Sequence, residues 1–246
     1  MKIEAVTVCV EYADFLAHSL PANKHLFDRI VVVTDTRDTA TQRLCAYHHV
    51  ECVQTDAFYL NDHAFNKGRG INEGLARLDR DGWLVHLDAD IVLPPRAREL
   101  LHRIELDPTH IYGIDRLMCR SLDAWLDFLA APELQHADEV FVQANAFALG
   151  VRVAKTDQDG YLPIGFFQLW HGATGRLHYP DQHGAAARAD MMFAQQWRRA
   201  ERTLIPEIVA IHLESEAAPG GANWRGRRTR FFGRQRIPEP KRGYAE

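Results

Sequence analysis

The stretch FNKGRGINEGLARLDRDGWLVHLDAD, Phe65 to Asp90, decides the fold. Its first part predicts a helix over Asn66–Arg80, with apolar positions at Ile71, Leu75 and Leu78, spaced four and three apart. Gly82 ends that helix. Trp83–Leu87 (WLVHL) follows as a buried strand and runs straight into Asp88-Ala89-Asp90. Residues i and i+2 of an extended segment point the same way, so both aspartates can face one ligand. Two carboxylates at a strand end make a hard-oxygen site suited to Mg2+ or Mn2+, with positions left open for other oxygens. The plain alternative is a solvated turn, because Asp-x-Asp is a common pattern.

Working outward, strands and helices alternate. Glu4–Val10, Arg29–Thr34 (RIVVVT) and Val50–Gln54 read as strands. Tyr12–Leu20 reads as a short helix stopped by Pro21, and Thr39–His49 as a helix capped by Thr39 or Thr41. Pro94 and Pro95 open a further helix. This order implies a parallel sheet with helices on both faces, and in such sheets ligands sit beyond the carboxyl ends of the strands. Three polar clusters fall at such ends: Glu11-Tyr12, Thr34-Asp35 and Asp88-Ala89-Asp90. Downstream, Ile111–Asp115 and Glu139–Leu149 read as strands and Tyr161–Trp170 as an aromatic wall or loop. Ala185–Glu201 reads as a helix and Thr203–Leu213 as a last strand. Ala217–Asn223 is a hinge, which divides a main domain over 1–215 from a hinge and basic lid over 216–246.

The 246 residues, 46% hydrophobic and 25% charged, have ordinary globular composition. No apolar run approaches the roughly 20 residues of a membrane span, and the N-terminus lacks a signal pattern, so a soluble cytoplasmic protein is expected. The cysteines, Cys9, Cys45, Cys52 and Cys119, show no CxxC spacing and read as reduced, buried thiols. The 13 histidines form no HExxH or HxxxH, which argues against a zinc site. The net charge is −4, yet Trp224–Glu246 holds eight Lys or Arg against two acids. A basic tail on an acidic body is expected to meet phosphate.

The Phe65–Asp90 stretch resembles the donor-binding half of the GT-A fold glycosyltransferases, especially the family-two group, in which a helix with a basic first turn precedes a strand carrying the DxD motif. The resemblance runs from the first strand to about His212 and loosens after Leu100. In detail it looks closest to small phage and bacterial enzymes, some of which sugar-modify hydroxymethylated DNA bases. It implies a Rossmann-like α/β fold with a mostly parallel sheet. It also implies Mn2+ or Mg2+ as cofactor and a nucleotide-sugar donor, with a UDP-sugar favoured.

That resemblance assigns the remaining clusters. Val10, Glu11, Tyr12 and Asp35 match positions that hold base and ribose, although Asp35 equally suits an Asx turn. Lys67 and Arg69 begin a helix where cations oppose the macrodipole, so contact with phosphate is the attractive reason for them. His212 matches a late metal ligand beside Asp88 and Asp90, with Glu214 as competitor and a core histidine as the plain reading. Asp190 matches a general base at the head of a late helix, with Asp181 as competitor; the family's acidic pair is absent because Ala189 precedes it. Gly165, Phe166, Phe167, Gln168 and Trp170 are expected to line the acceptor side, with the two phenylalanines in the core and Trp170 exposed. Asn223–Arg228, including Trp224 and Arg225, is expected to fold over a diphosphate or to contact nucleic acid.

The mechanism this implies is displacement at the anomeric carbon with inversion. Asp190 deprotonates the acceptor, metal on Asp90 and His212 faces the leaving diphosphate, and Asp88 holds ribose or a water on the metal. Hydroxymethylated pyrimidine in DNA is the leading acceptor expectation, and surface polysaccharide or a lipid-linked glycan the alternative. A sugar-phosphate nucleotidyltransferase is the rival class, but Val10–Phe15 lacks the glycine-rich loop it normally carries.

Overall fold

The computed structural model describes residues 1–119, 121–131, 156–157, 160–182, 184–186, 188–214, 223, 225–227 and 232. The first half alternates as the sequence predicts. Strand β1 (Ile3–Val8), helix α1 (Ala13–Asn23), β2 (Arg29–Asp35), α2 (Thr39–His48), β3 (Glu51–Thr55), α3 (Lys67–Leu75) and β4 (Trp83–Leu87) follow one another. Then come β5 (Ile91–Val92), α4 (Ala97–Arg103), β6 (Ile111–Cys119) and α5 (Leu122–Leu129). A short hairpin of β7 (Thr156–Asp157) and β8 (Gly160–Tyr161) precedes β9 (Phe167–His171), α6 (Ala189–Ala194) and β10 (Arg202–Leu213).

One eight-stranded sheet runs β3-β2-β1-β4-β9-β6-β10-β5. The pairs β3–β2, β2–β1, β1–β4 and β6–β10 are parallel; β9 is antiparallel to both β4 and β6, and β5 to β10. Alternate residues of β2 and β4 feed two cores, as period-two burial requires. Ile30, Val32, Val85 and Leu87 pack with Leu16 and Leu20 of α1 and Leu101 of α4. Val31, Val33 and Leu84 pack on the other face with Ile71 and Leu75 of α3 and Phe193 of α6. Gly74 lets α3 lie directly on the sheet, because a Cβ there would run into Val6 and Val33.

Several expectations need correction. Helix α1 passes through Pro21 instead of stopping at it. The carbonyl that loses its donor belongs to Ala17, which is exposed and open to water. Buried Asn23 then anchors the end of the helix. The cap of α2 is Asp38, whose Oδ1 accepts from Thr41 N at 3.1 Å, and not Thr39 or Thr41. Helix α3 ends at Leu75 rather than Arg80, because the buried Glu4 carboxylate accepts the N–H groups of Asp79 and Arg80 at 3.2 and 3.0 Å. Residues Phe167–His171 are a central strand, not a wall or loop, and Trp170 is fully buried rather than exposed. The predicted helix Ala185–Glu201 shortens to α6 plus one 3-10 turn at Arg199–Glu201. The expected strand Glu139–Leu149 lies outside the described residues.

Candidate active site

The carboxyl ends of β1, β2, β4 and β10 gather the expected residues on one edge of the sheet. The Asp88-Ala89-Asp90 turn closes with Ile91 N donating to Asp88 O at 3.2 Å, while Asp88 N donates to Phe166 O at 3.1 Å. Helix α1 clamps the turn from below. Ser19 Oγ donates to Ala89 O at 2.5 Å, Asn23 Nδ2 donates to Ile91 O at 2.6 Å, and Leu93 N donates to Asn23 Oδ1 at 2.9 Å. The β5–β10 register sets His212 opposite Ile91, and Leu213 N donates to Asp90 O at 2.8 Å. A residue far along the chain is thereby delivered beside Asp90.

His212 Nε2 lies 3.2 Å from Asp90 Oδ2. Two adjacent ligands of a hard cation at about 2.1 Å are about 3 Å apart when they subtend a right angle. Among the described residues, Asp90 Oδ1 and His212 Nδ1 are buried without a hydrogen-bond partner. This nitrogen–oxygen pair with an orphaned carboxylate oxygen therefore fits Mn2+ or Mg2+. Burial works against the charge on Asp90, but His212, Lys67 and Arg116 outweigh it and hold its pKa below the ordinary carboxylate value. Glu214 stands farther off, 4.0 Å from His212 Nδ1.

Asp88 turns away from this pair, toward Lys67, with which it forms a tight ion pair. Burial raises the Asp88 pKa, with Lys67 opposing and Asp90 adding to the rise. Burial also disfavours charge on Lys67, but Asp88, with Asp190 and Asp90 beyond it, leaves that pKa raised. Asp88, Asp90 and His212 do not close into a set of three ligand atoms within 4.8 Å of one another. Among the described residues that spacing occurs only for Glu4, Asp79 and Asp81, whose acids are bound by Lys2 and backbone N–H groups. Beneath Asp88 lies His86, fully buried, its pKa driven well below the usual value by burial and by Lys67.

Asp190 stands in the first turn of α6. Gly165 N donates to its Oδ2 at 2.6 Å, and Gln168 Nε2 donates to its main-chain oxygen at 2.9 Å. Gln168 is itself fixed, for Tyr179 OH donates to its Oε1 at 2.5 Å. Burial, then Asp190 and Asp88, raises the pKa of Tyr179 well above the usual value. Phe166 and Phe167 are core, as expected.

Of the remaining predicted contacts, Asp35 and Tyr12 are occupied by the protein's own side chains. The Asp35 carboxylate accepts from Arg37 N at 2.9 Å and from its guanidinium at 2.8 and 3.1 Å, which is the Asx-turn arrangement. Val10 packs at the edge of the core. Tyr12 stacks on Phe15 at 4.5 Å and is covered by the tail: the Arg227 guanidinium lies 4.8 Å above its ring, and Asn223 Nδ2 donates to its hydroxyl. Arg227 also forms a forked pair with Asp14 and donates to Glu11 O at 2.8 Å. Arg225 is exposed, and Trp224 lies outside the described residues. Arg69 is partly buried and forms no ion pair among the described residues. Sequence reading missed Ser19, Asn23, His86 and Tyr179. Only the i, i+4 spacing of Ser19 and Asn23 on α1 offered a signal.

No protein-family model and no curated protein matches the chain. Solved structures do. The crystal structure of a mycobacterial protein aligns over 86% of this chain and 67% of its own, at 14% identity and a TM-score of 0.51. Glucosyl-3-phosphoglycerate synthase from Mycobacterium tuberculosis, in complex with Mn2+, UDP and phosphoglyceric acid, aligns over 86% and 70%, at 13% identity and a TM-score of 0.50. The same enzyme with Mg2+ and UDP aligns over 86% and 71%, at 12% identity and a TM-score of 0.50. At these identities the likeness is one of architecture, and the architecture is the GT-A fold.

Proposed function

We propose that this chain is a glycosyltransferase that moves a sugar from a nucleotide-sugar donor, a UDP-sugar by preference, to an acceptor hydroxyl. The observation that carries this is the Asp90–His212 pair with its orphaned oxygen, set beside Asp88–Lys67 at the carboxyl edge of a GT-A sheet. The solved neighbours that bind Mn2+ or Mg2+ together with UDP support it. Asp90 and His212 would hold the divalent cation. When bound, it supplies positive charge opposite the diphosphate leaving group.

Asp190 takes the acceptor proton. Gly165 holds one of its oxygens, and the other makes no hydrogen bond among the described residues, so it can accept a proton without losing a partner. Direct displacement with inversion follows from that role. The pair Lys67–Asp88 stands toward the donor, where Lys67 limits the negative charge the diphosphate meets. The tail residues Asn223 and Arg227, seated over Tyr12, form one wall of the base-binding loop.

For the acceptor, the engagement of Arg227 by Asp14 and Glu11 speaks against the contact with DNA expected of that arginine. The test is turnover with Mn2+ and a panel of UDP-, GDP- and CDP-sugars, comparing wild type with Asp190→Asn. The expected result is UDP release with one sugar, lost in Asp190→Asn, and a product of inverted configuration. Retained configuration removes the base role from Asp190. Transfer to DNA that falls steeply with salt would restore the DNA acceptor.

A further inference from the structure

Arg116 is a site cation that no acceptor meets among the described residues. It lies on β6 opposite Ala210 of β10, and two residues on Met118 lies opposite His212. Alternate residues share a face, so Arg116 stands in the same row as the metal-site histidine. Its guanidinium carbon sits 4.5 Å above the ring of Phe166, whose carbonyl accepts the N–H of Asp88. Among the described residues its Nε is buried without a hydrogen-bond partner, and no carboxylate pairs with the guanidinium. The other buried cations of the region have their acids: Lys67 has Asp88, and Arg227 has Asp14.

A buried guanidinium N–H without an acceptor is costly, and an arginine retained in that state reads as waiting for an anion. The Phe166 ring supports the guanidinium on one side, and its fork suits two oxygens of a carboxylate or phosphate. The position favours the acceptor as the substrate that carries them. The expected donor loops follow β1, β2 and β4. Arg116 lies beyond β9, on the side of the sheet where Phe166 and His212 face the site.

We propose that Arg116 binds an acid group, carboxylate or phosphate, on the acceptor, so that the preferred acceptor is a small hydroxy acid or phosphate ester rather than a neutral sugar. This rests on the glycosyltransferase reading. The test is a thermal-shift titration of full-length protein saturated with UDP and Mn2+, using glycerate, glycerol 3-phosphate and uncharged glycerol as probes. Wild type is expected to be stabilised by at least one acid and not by glycerol. Arg116→Met is expected to keep the UDP–Mn2+ shift and to bind that acid roughly tenfold or more weakly, as loss of a charge-assisted fork implies. Arg116→Lys keeps the charge without the fork and is expected to fall between the two; it decides the matter if Arg116→Met does not fold.

Acids that shift neither protein, or shift Arg116→Met as they shift wild type, overturn the proposal. So does loss of the UDP–Mn2+ shift in folded Arg116→Met, which would assign the anion to the donor diphosphate. So does a shift produced by a short oligonucleotide and by neither small acid. Absence of any UDP–Mn2+ shift in wild type is a different failure, and it falls on the glycosyltransferase reading itself.

Discussion

Replacing Gly165 with alanine would put a methyl group 2.7 Å from both Cβ and Oδ2 of Asp190. Ordinary contact begins at 3.4 Å, so Asp190 must retreat by about 0.7 Å, on the scale at which misplacement of a reacting group costs rate. The 2.6 Å bond from Gly165 N to Oδ2 stretches with it. Gly165 is not among the glycines with positive φ, so the backbone accepts alanine and the effect isolates the contact. A bond to a charged acceptor is worth about 1.5–3 kcal/mol, and a displacement near 1 Å costs up to about 100-fold in rate. The expected result is a kcat reduced about 10- to 100-fold, with UDP–Mn2+ affinity within about twofold of wild type, because Asp90 and His212 are not touched. The assay is UDP release at saturating donor, with Asp190→Asn as the floor and a melting curve as the fold control. Wild-type kcat in a folded Gly165→Ala protein would refute the placement of Asp190 as base.

Asn23→Leu removes the clamp under the DxD turn and leaves Ile91 O and Leu93 N without their partner, so urea unfolding should show a loss of about 2–4 kcal/mol, together with weaker Mn2+ binding. Asp14→Ala and Arg227→Ala each undock the tail from α1, and a double-mutant cycle should give a coupling of about 1–3 kcal/mol; additive losses would mean the pair contributes nothing of its own. His18 accepts from Trp125 Nε1 at 3.3 Å through Nδ1, which requires the neutral ring, and burial lowers its pKa against a smaller opposing pull from Asp14. The unfolded chain therefore binds the extra proton first as pH falls. Stability should drop below about pH 6.5 by up to about 1.4 kcal/mol per unit from this group, and His18→Gln should flatten that slope.

The first half of the fold is legible because its signals are local. An unbroken apolar strand ends in Asp88-Ala89-Asp90, the helix before it repeats at four and three, and polar residues follow each strand. His212 was legible as the polar end of an apolar strand. Strand β9 was not, because Pro163 and Gly165 precede it and it enters antiparallel between β4 and β6, breaking the alternation that guided the rest. The end of α3 depends on Glu4, which lies far away in sequence. Arg116 was invisible for the same kind of reason. Its meaning lies in what it lacks among the described residues, an acceptor for a buried N–H, and only packing reveals that.

On the proposed function, Asp90 and His212 together hold a divalent cation that a nucleoside diphosphate completes. Mn2+ binding followed by electron paramagnetic resonance, with and without UDP, tests it on wild type, Asp90→Asn and His212→Ala. UDP is expected to strengthen Mn2+ binding in wild type, and each substitution to weaken the ternary complex by roughly tenfold or more, as loss of a ligand or its support does. Mn2+ and UDP binding that persists undiminished in both folded variants would contradict it.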